Sequence, residues 1–403
     1  MRDAEPARLA TFELVAMVAA MAALNALSID VMLPALPDIQ RDFGFSSDND
    51  RQLVIIAYVA LFGVAQLVYG PLADAYGRRV VLLGALILFV IGTLLCVVAP
   101  SFELFLAARA LQGLGAAATR VIGTTVVRDL VEGRRMAQVM SMAMTVFMIV
   151  PIVAPGVGQL ILFVAPWRWI FGALLFYSIG LLIWLWLRLP ETLRPENTTP
   201  FRPRAIASAY LSVLRERQAF GYIMATTFIS ACLFSYITSS EQIYVETFEL
   251  GAAFPLAFAS VAIAMSIGTF VNSRIVVLHG MRRISHTMTL AFTALAASIA
   301  ILAALNMASF WVFLACLALT FSLFGLIASN FNALSMEPVG RVAGSASALF
   351  GAMTASGGAL LGGVIARAYD GTVLPFAVGL TLAGAAALAS IVWTERGRFA
   401  ADT

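Results

Sequence analysis

Runs of about twenty apolar residues recur along this chain with short polar breaks between them, and few folds accommodate that pattern. A helix needs roughly 20 apolar residues to cross the hydrocarbon of a bilayer. Inside that hydrocarbon, backbone polar groups must find partners within the segment, which a helix provides. Twelve such runs are legible, at 12–34, 53–72, 80–98, 104–127, 139–163, 170–189, 220–240, 254–278, 287–305, 310–332, 342–366 and 373–393. Only 12% of the residues are charged, about half of what a soluble domain carries. The chain therefore reads as an all-α membrane protein whose surface mostly faces lipid.

The basic residues set the expected orientation. All 25 are arginine. With the N-terminus in the cytoplasm, 18 fall in segments on that side, among them Arg78, Arg79, Arg128, Arg134, Arg135, Arg202, Arg204, Arg282 and Arg341. The opposite side holds 4, namely Arg41, Arg51, Arg168 and Arg367. Arg109, Arg120 and Arg188 lie inside spans. Cytoplasmic connections carry an excess of arginine and lysine, so both termini are expected in the cytoplasm and the protein in the cell inner membrane. The first run is longer than a signal-peptide core and lacks a cleavage site, so it reads as a retained span.

Several chemistries are excluded. A phosphate-binding P-loop needs a lysine, and the chain has none; no nucleotide partner is expected. His279 and His286, both placed in the loop near Arg282, are too few for a zinc site. Cys96, Cys232 and Cys316 fall in spans without a C-x-x-C pattern and read as packing residues. No G-x-S-x-G elbow is present, and no paired carboxylates or histidines suggest an integral-membrane enzyme. The net charge of +3 comes from loops that follow the membrane rule, and no nucleic-acid motif accompanies it. The lipid bilayer is the partner these features imply, with no metal or cofactor expected, in a protein that acts as a monomer; a small-molecule substrate and protons are partners implied by the resemblance described below.

The longest polar stretch between spans, Pro190–Gln218, holds five arginines and divides the chain. The expected organisation is a six-helix half over 1–193, a cytoplasmic loop over 194–218 and a second six-helix half over 219–403. The halves look related: Gly77-Arg78-Arg79 answers Gly280-Met281-Arg282, and Gly133-Arg134 answers Gly340-Arg341. Asp74 falls opposite Val277, so the second half lacks that acid. Duplicated six-span halves with substrate held between them at mid-membrane are a transporter architecture.

The stretch Gly70-Pro71-Leu72-Ala73-Asp74-Ala75-Tyr76-Gly77-Arg78-Arg79 resembles the G-x-L-a-D-r-x-G-r-k loop of the major facilitator superfamily. Arg109-Ala110-Leu111-Gln112-Gly113-Leu114-Gly115 resembles the fourth-span motif of its drug/proton antiporters. Ser28-Ile29-Asp30-Val31-Met32-Leu33-Pro34, Val127-Arg128-Asp129, Trp167-Arg168-Trp169, Leu189-Pro190-Glu191-Thr192 and Gly344-Ser345-Ala346 are similar to the Bcr/CflA group of drug-resistance exporters. The resemblance implies twelve transmembrane helices in two pseudo-symmetric six-helix halves, and proton-coupled efflux of small, largely apolar compounds such as antibiotics by alternating access. An importer or metabolite exporter of the same fold is the alternative. A sensor that reuses the fold would carry a sizeable soluble domain, against which the short ends argue.

Candidate residues follow. Asp30 is the acidic residue well inside the first span; burial disfavours a charged carboxylate and a nearby arginine favours it, so such a group can load and release a proton. Glu241, near the outer end of the seventh span, is a second proton candidate. Charges deep in a span face a partner or a wet cavity. Arg109, Gln112 and Arg120 share one helix face by their spacing. Arg109 fits either control of a nearby carboxylate, a hold on backbone carbonyls around the cavity, or a structural tie between helices; Arg120, nearer the cytoplasm, fits the cavity or a snorkelling role. Asn25, Tyr58, Gln66, Met144, Phe147, Tyr236, Asn330 and Asn332 are candidates to line the substrate cavity, Met and aromatic side chains also serving as packing. The resemblance assigns Gly70, Asp74, Gly77, Arg78 and Arg79 to a cytoplasmic gate, with Asp74 meeting the start of the eleventh span near Val342–Ser345 and Arg78 or Arg79 meeting Asp129. Pro151, Pro155 and Gly158 interrupt the fifth span and are expected to hinge it. Gly344, Gly351, Gly358 and Gly362 form a close-packing face on the eleventh.

Overall fold

The computed structural model describes residues 11–45 and 47–396, which are mostly helical with no strand among them. Ten helical runs are long and apolar enough to cross a membrane. One of these, Phe310–Arg367, has 58 residues. At about 1.5 Å per residue it would extend some 87 Å, enough for two crossings. It breaks at a 3-10 segment, Glu337–Val342, where Val339 leaves helical geometry. A further helix, Phe102–Leu130, carries Arg109 and Arg120 yet is packed between two of the others. Twelve spanning helices result. They are α1 (Thr11–Asp30), α2 (Leu53–Tyr76), α3 (Arg78–Val98), α4 (Phe102–Leu130), α5 (Gly133–Val164) and α6 (Arg168–Arg188). Then come α7 (Arg217–Glu241), α8 (Phe254–His279), α9 (Met281–Ala304), α10 (Phe310–Met336), α11 (343–367) and α12 (Leu374–Thr394).

The two halves repeat one plan. In the first, α4 packs on both α2 and α3; in the second, α10 packs on both α8 and α9. The turn between α2 and α3 is made by Gly77 (φ 102°, ψ 144°), and its counterpart between α8 and α9 by Gly280 (φ 74°, ψ 153°). A side chain strains this left-handed region, which is why the sequence repeat is sharpest at these glycines. The side of the bundle that carries both turns also carries a connector helix, Pro203–Arg215, and is called the connector side below. The opposite end is the far side.

The halves meet along two seams, α2 against α11 and α5 against α8. Small residues allow close approach at the first. An added Cβ on Gly63 would lie 2.1 Å from Ser356 Oγ, and Ser356 itself donates to the Ala60 carbonyl at 2.6 Å. A π-turn at Met353–Gly357 presents that serine; such bulges mark sites where a helix is re-aimed.

Two proline effects differ from expectation. The fifth span is not interrupted: α5 stays helical through Pro151 and Pro155. Neighbouring helices and local adjustment can re-satisfy the backbone groups that a proline frees inside a membrane. Its tight contact is Gly158, where a Cβ would meet the Val31 carbonyl at 1.9 Å. In α2, Pro71 has no N–H for the Leu67 carbonyl four residues back. The Tyr210 hydroxyl of the connector helix fills that vacancy at 2.6 Å. Burial raises the Tyr210 pKa to about 12, so the hydroxyl stays protonated and able to donate. On the same face, one turn on, the connector helix buries Val213 among Ala219, Ile223, Val339, Ala346 and Leu349.

Candidate functional site

Arg109 is fully buried at the centre of the first half. Its Nε donates to the Val54 carbonyl at 3.1 Å and one Nη to the Ser28 carbonyl at 3.0 Å. The other Nη donates to Gln112 Oε1, and Gln112 in turn donates to Thr93 Oγ1 at 2.9 Å. The Tyr58 ring lies 4.6 Å from the guanidinium carbon. One arginine thus ties α1, α2, α3 and α4 together. Ser28 is among the last four residues of α1, whose carbonyls have no helical donor ahead of them. Desolvating a guanidinium requires such partners, and all of these are neutral. Arg109 therefore engages carbonyls, and it forms no ion pair with Asp30.

A second layer lies beside it. The Tyr58 hydroxyl reaches Asn25 Oδ1 at 3.3 Å, and Asn25 Nδ2 donates to Thr119 Oγ1 at 2.9 Å. Tyr58, Asn25 and Gln112 are buried members of this network. Asp30 closes α1, immediately before the turn at Val31–Met32 that leads into a 3-10 segment at Leu33–Ala35. Its side chain is 4% exposed, and among the described residues no basic group lies within 4.0 Å of it. Tyr236, on α7 of the other half, is among the groups the Asp30 carboxyl acts on electrostatically. Tyr236 lies between Phe258 (5.3 Å) and Phe321 (5.0 Å), with Tyr244 beside it at 6.4 Å between ring centroids.

The far side holds the halves shut. Arg51, in the segment leading into α2, is 2% exposed. It pairs with Glu241 Oε2 at 2.9 Å and with Glu246. Gln52 donates to Gln242 Oε1 at 2.6 Å and to the Ala366 carbonyl at 2.9 Å. Asn49 donates to the Arg367 and Tyr369 carbonyls at 2.9 and 3.1 Å, and Arg367 pairs with Asp50 at 3.0 Å. The π-turn at Gln242–Thr247, which ends α7, brings Glu241, Gln242 and Glu246 to one rim. Glu241 is thus the inner acid of a latch between halves.

The connector-side charges form two clusters, each within its own half. Arg78 pairs with Asp74 at 2.7 Å and with Asp129 at 3.3 Å. Glu191 accepts from the backbone N–H groups of Arg78 (2.9 Å) and Arg79 (3.1 Å) at the start of α3, where a negative charge favours the helix dipole. Arg79 itself donates to the Trp186 carbonyl at 2.5 Å. In the second half, Arg282 pairs with Glu337 at 3.3 Å and Glu395 at 3.2 Å. Asp74 bonds to Arg78 and, through its carbonyl, to the Thr199 N–H at 3.1 Å, not to the 342–345 stretch. Gly70 is not tightly packed: an added Cβ there would lie 3.9 Å from Val121.

Other expected residues separate into groups. Gln66 is buried and packs against Gly351, whose added Cβ would lie 2.2 Å from Gln66 Oε1, placing Gln66 on the α2–α11 seam. Gly358 and Gly362 pack instead on α7, and Gly344 has open space. Asn330 faces α8, donating to Asn272 at 2.9 Å, whereas Asn332 is exposed. Arg120 is exposed. The side chains of Met144 and Phe147 lie outside the described residues. His286 is not in a loop: it is buried within α9, 3.0 Å from the Tyr222 hydroxyl. Sequence reasoning missed the role of Arg51, Asn49 and Gln242, for which no local signal exists. It also missed the acid pair Glu191 and Glu395, which sit at nearly the same repeat offset as the Gly77 and Gly280 turns.

Comparison with known proteins now bears on this geometry. The family model of the Major Facilitator Superfamily matches residues 18–363. An uncharacterized MFS-type transporter of Bacillus subtilis, YdgK, is 32% identical over 338 residues, covering 82% of this chain and 83% of the relative. The bicyclomycin resistance protein homolog of Haemophilus influenzae is 28% identical over 367 residues, covering 91% and 92%. The crystal structure of the human organic anion transporter MFSD10 superposes with a TM-score of 0.71 at 17% identity, over 96% of this chain and 100% of that one. At that identity the likeness speaks to the fold.

Proposed function

The chain belongs to the major facilitator superfamily, and from that membership we propose that it exports small, largely apolar compounds, antibiotics among them, in exchange for protons. Membership makes it a transporter rather than an enzyme. The drug-resistance name carried by a relative that aligns over nine-tenths of the chain supports the substrate class and the direction. In this reading the connector side faces the cytoplasm, both termini with it, and the membrane is the inner one. The arginine excess on that side supports the assignment.

The observation that carries proton coupling is Asp30: a carboxyl buried where α1 gives way to a 3-10 turn, with no cation at ion-pair distance among the described residues. A charge buried in that way is costly, and exchanging a proton is how a carboxyl can change its charge as the halves move. The conformation described here is latched at the far side by Arg51, Gln52 and Asn49. Substrate enters from the cytoplasm, and a proton reaching Asp30 from outside restores the cycle. Arg109 fixes the carbonyl end of α1 next to Asp30, so the helix break keeps its shape in either state.

Proteoliposomes with an imposed pH gradient test this. Wild-type protein should move drug against its gradient. Asp30→Asn should abolish that uphill movement while leaving downhill exchange and the melting temperature near wild type. Uphill export by Asp30→Asn that still follows the pH gradient would remove Asp30 from the mechanism.

A further inference from the structure

Among the described residues, Arg120 is a cation deep in the bundle that the preceding networks leave unused. It sits 10 residues from the connector end of α4, about 15 Å along the helix axis, and 18 residues from the far end, about 27 Å. Its side chain is nonetheless exposed. Among the described residues no carboxylate lies within 4.0 Å of it, and it has no hydrogen-bond partner.

Its direction follows from the contacts of its neighbours on α4. Gly115 packs on the backbone of α3, an added Cβ meeting Phe89 N at 2.4 Å. Thr119 bonds Asn25 of α1, and Gly123 touches Met21 of α1. Gly113 packs on the Tyr58 carbonyl of α2, and Val121 lies against Gly70 of α2. At about 100° per residue, Arg120 falls between the α1-facing and α2-facing sides and well away from the α3-facing side. The lipid-facing residues Ile87, Ile91 and Leu94 lie on α3, behind it. Arg120 therefore looks through the gap between α1 and α2 toward the second half, not into lipid. Thr124 and Arg128, one and two turns nearer the connector side, are also exposed and continue the stripe.

The charge balance around Arg120 is one-sided. The two buried acids named above stand nearer the far end, Asp30 at the end of α1 and Glu241 already held by Arg51. A guanidinium held in such a place calls for an anion or strong acceptor. We infer that the compounds this protein moves carry an anionic group, such as a carboxylate or sulfonate on an otherwise apolar body, that seats against Arg120. This rests on the transport reading above and narrows its substrate class.

The test is equilibrium binding to the purified full-length protein, followed by tryptophan quenching. The probes are dansylglycine, naphthoate and naphthalenesulfonate, each against its neutral counterpart: dansylglycine methyl ester, methyl naphthoate and naphthalenesulfonamide. At least one anion should bind about tenfold more tightly than its neutral partner. Arg120→Gln should erase that preference, and Arg120→Lys should retain part of it. Both variants are first checked for wild-type melting, and Arg120→Lys serves alone if Arg120→Gln does not fold. Equal binding of acids and neutral partners, or an anion preference that survives Arg120→Gln, overturns the inference. Proton-driven export of neutral drugs is measured in parallel. If that persists while no anion preference is found, the substrate class is wrong and the transport reading stands. If no compound is moved uphill, the transport reading itself falls.

Discussion

Replacing Arg51 with glutamine should shift the protein toward a state open at its far side. The size of the shift can be worked from the latch. Arg51 and Glu241 are 2% and 1% exposed, with a 2.9 Å bond between them. Removing one partner of a buried ion pair typically costs about 3–5 kcal/mol, because the other charge is left unpaired. The second carboxylate, Glu246, is 39% exposed, so its pairing is worth less than about 1 kcal/mol. Only the state in which the halves close at this end makes these contacts. A loss of about 3 kcal/mol would change the ratio of closed to open molecules by roughly a hundredfold. Spin labels on Ser47→Cys and Thr372→Cys, one on each half, report the opening as a longer interlabel distance. Cys96, Cys232 and Cys316 are replaced first. The paired variant Arg51→Met with Glu241→Met separates two effects. It removes the latch without stranding a charge, so it should recover melting temperature yet keep the longer distance. An unchanged distance distribution in folded Arg51→Gln protein would refute the idea that this pair holds the far side shut.

Two further outcomes test the fold. Tyr210→Phe should lower stability by about 1 kcal/mol, the usual worth of a hydrogen bond. The same change on a Pro71→Ala background should cost less, since alanine returns the N–H that the Leu67 carbonyl lacks; thermal melts in detergent read both. Gly113→Ala would drive a methyl to 2.1 Å from the Tyr58 carbonyl. It should destabilise by about 1–3 kcal/mol or more, whereas Gly180→Ala, with open space around it, should gain up to about 1 kcal/mol.

Much of the fold was legible because apolar run length is a local quantity. The twelve spans and their approximate limits follow from it, and the duplication was read from matched loop residues, clearest at Gly77 and Gly280, where backbone geometry demands the residue. Polar residues inside spans could be ranked as costly but not aimed. Gln66 and Asn330 were read as one class with Asn332, yet the first lies on the seam between halves, the second bonds α8, and the third is exposed. Arg109 was left open between three readings, and its choice of the Ser28 and Val54 carbonyls depends on where α1 and α2 end. His286 was assigned to a loop because its neighbours are polar, but α9 begins at Met281 and buries it.

By itself, then, the chain decided that it must cross a bilayer about twelve times, that its halves are related, and which few charged residues would need an explanation. The burial cost of apolar and ionic groups in water and lipid is a property of each residue and travels with the sequence. Tertiary structure alone decided the partners. Arg51 meets Glu241 across 190 positions and Tyr210 answers a gap left by Pro71, whereas Arg120 pairs with no acid among the described residues. Pairing depends on distances between helices that no local pattern encodes.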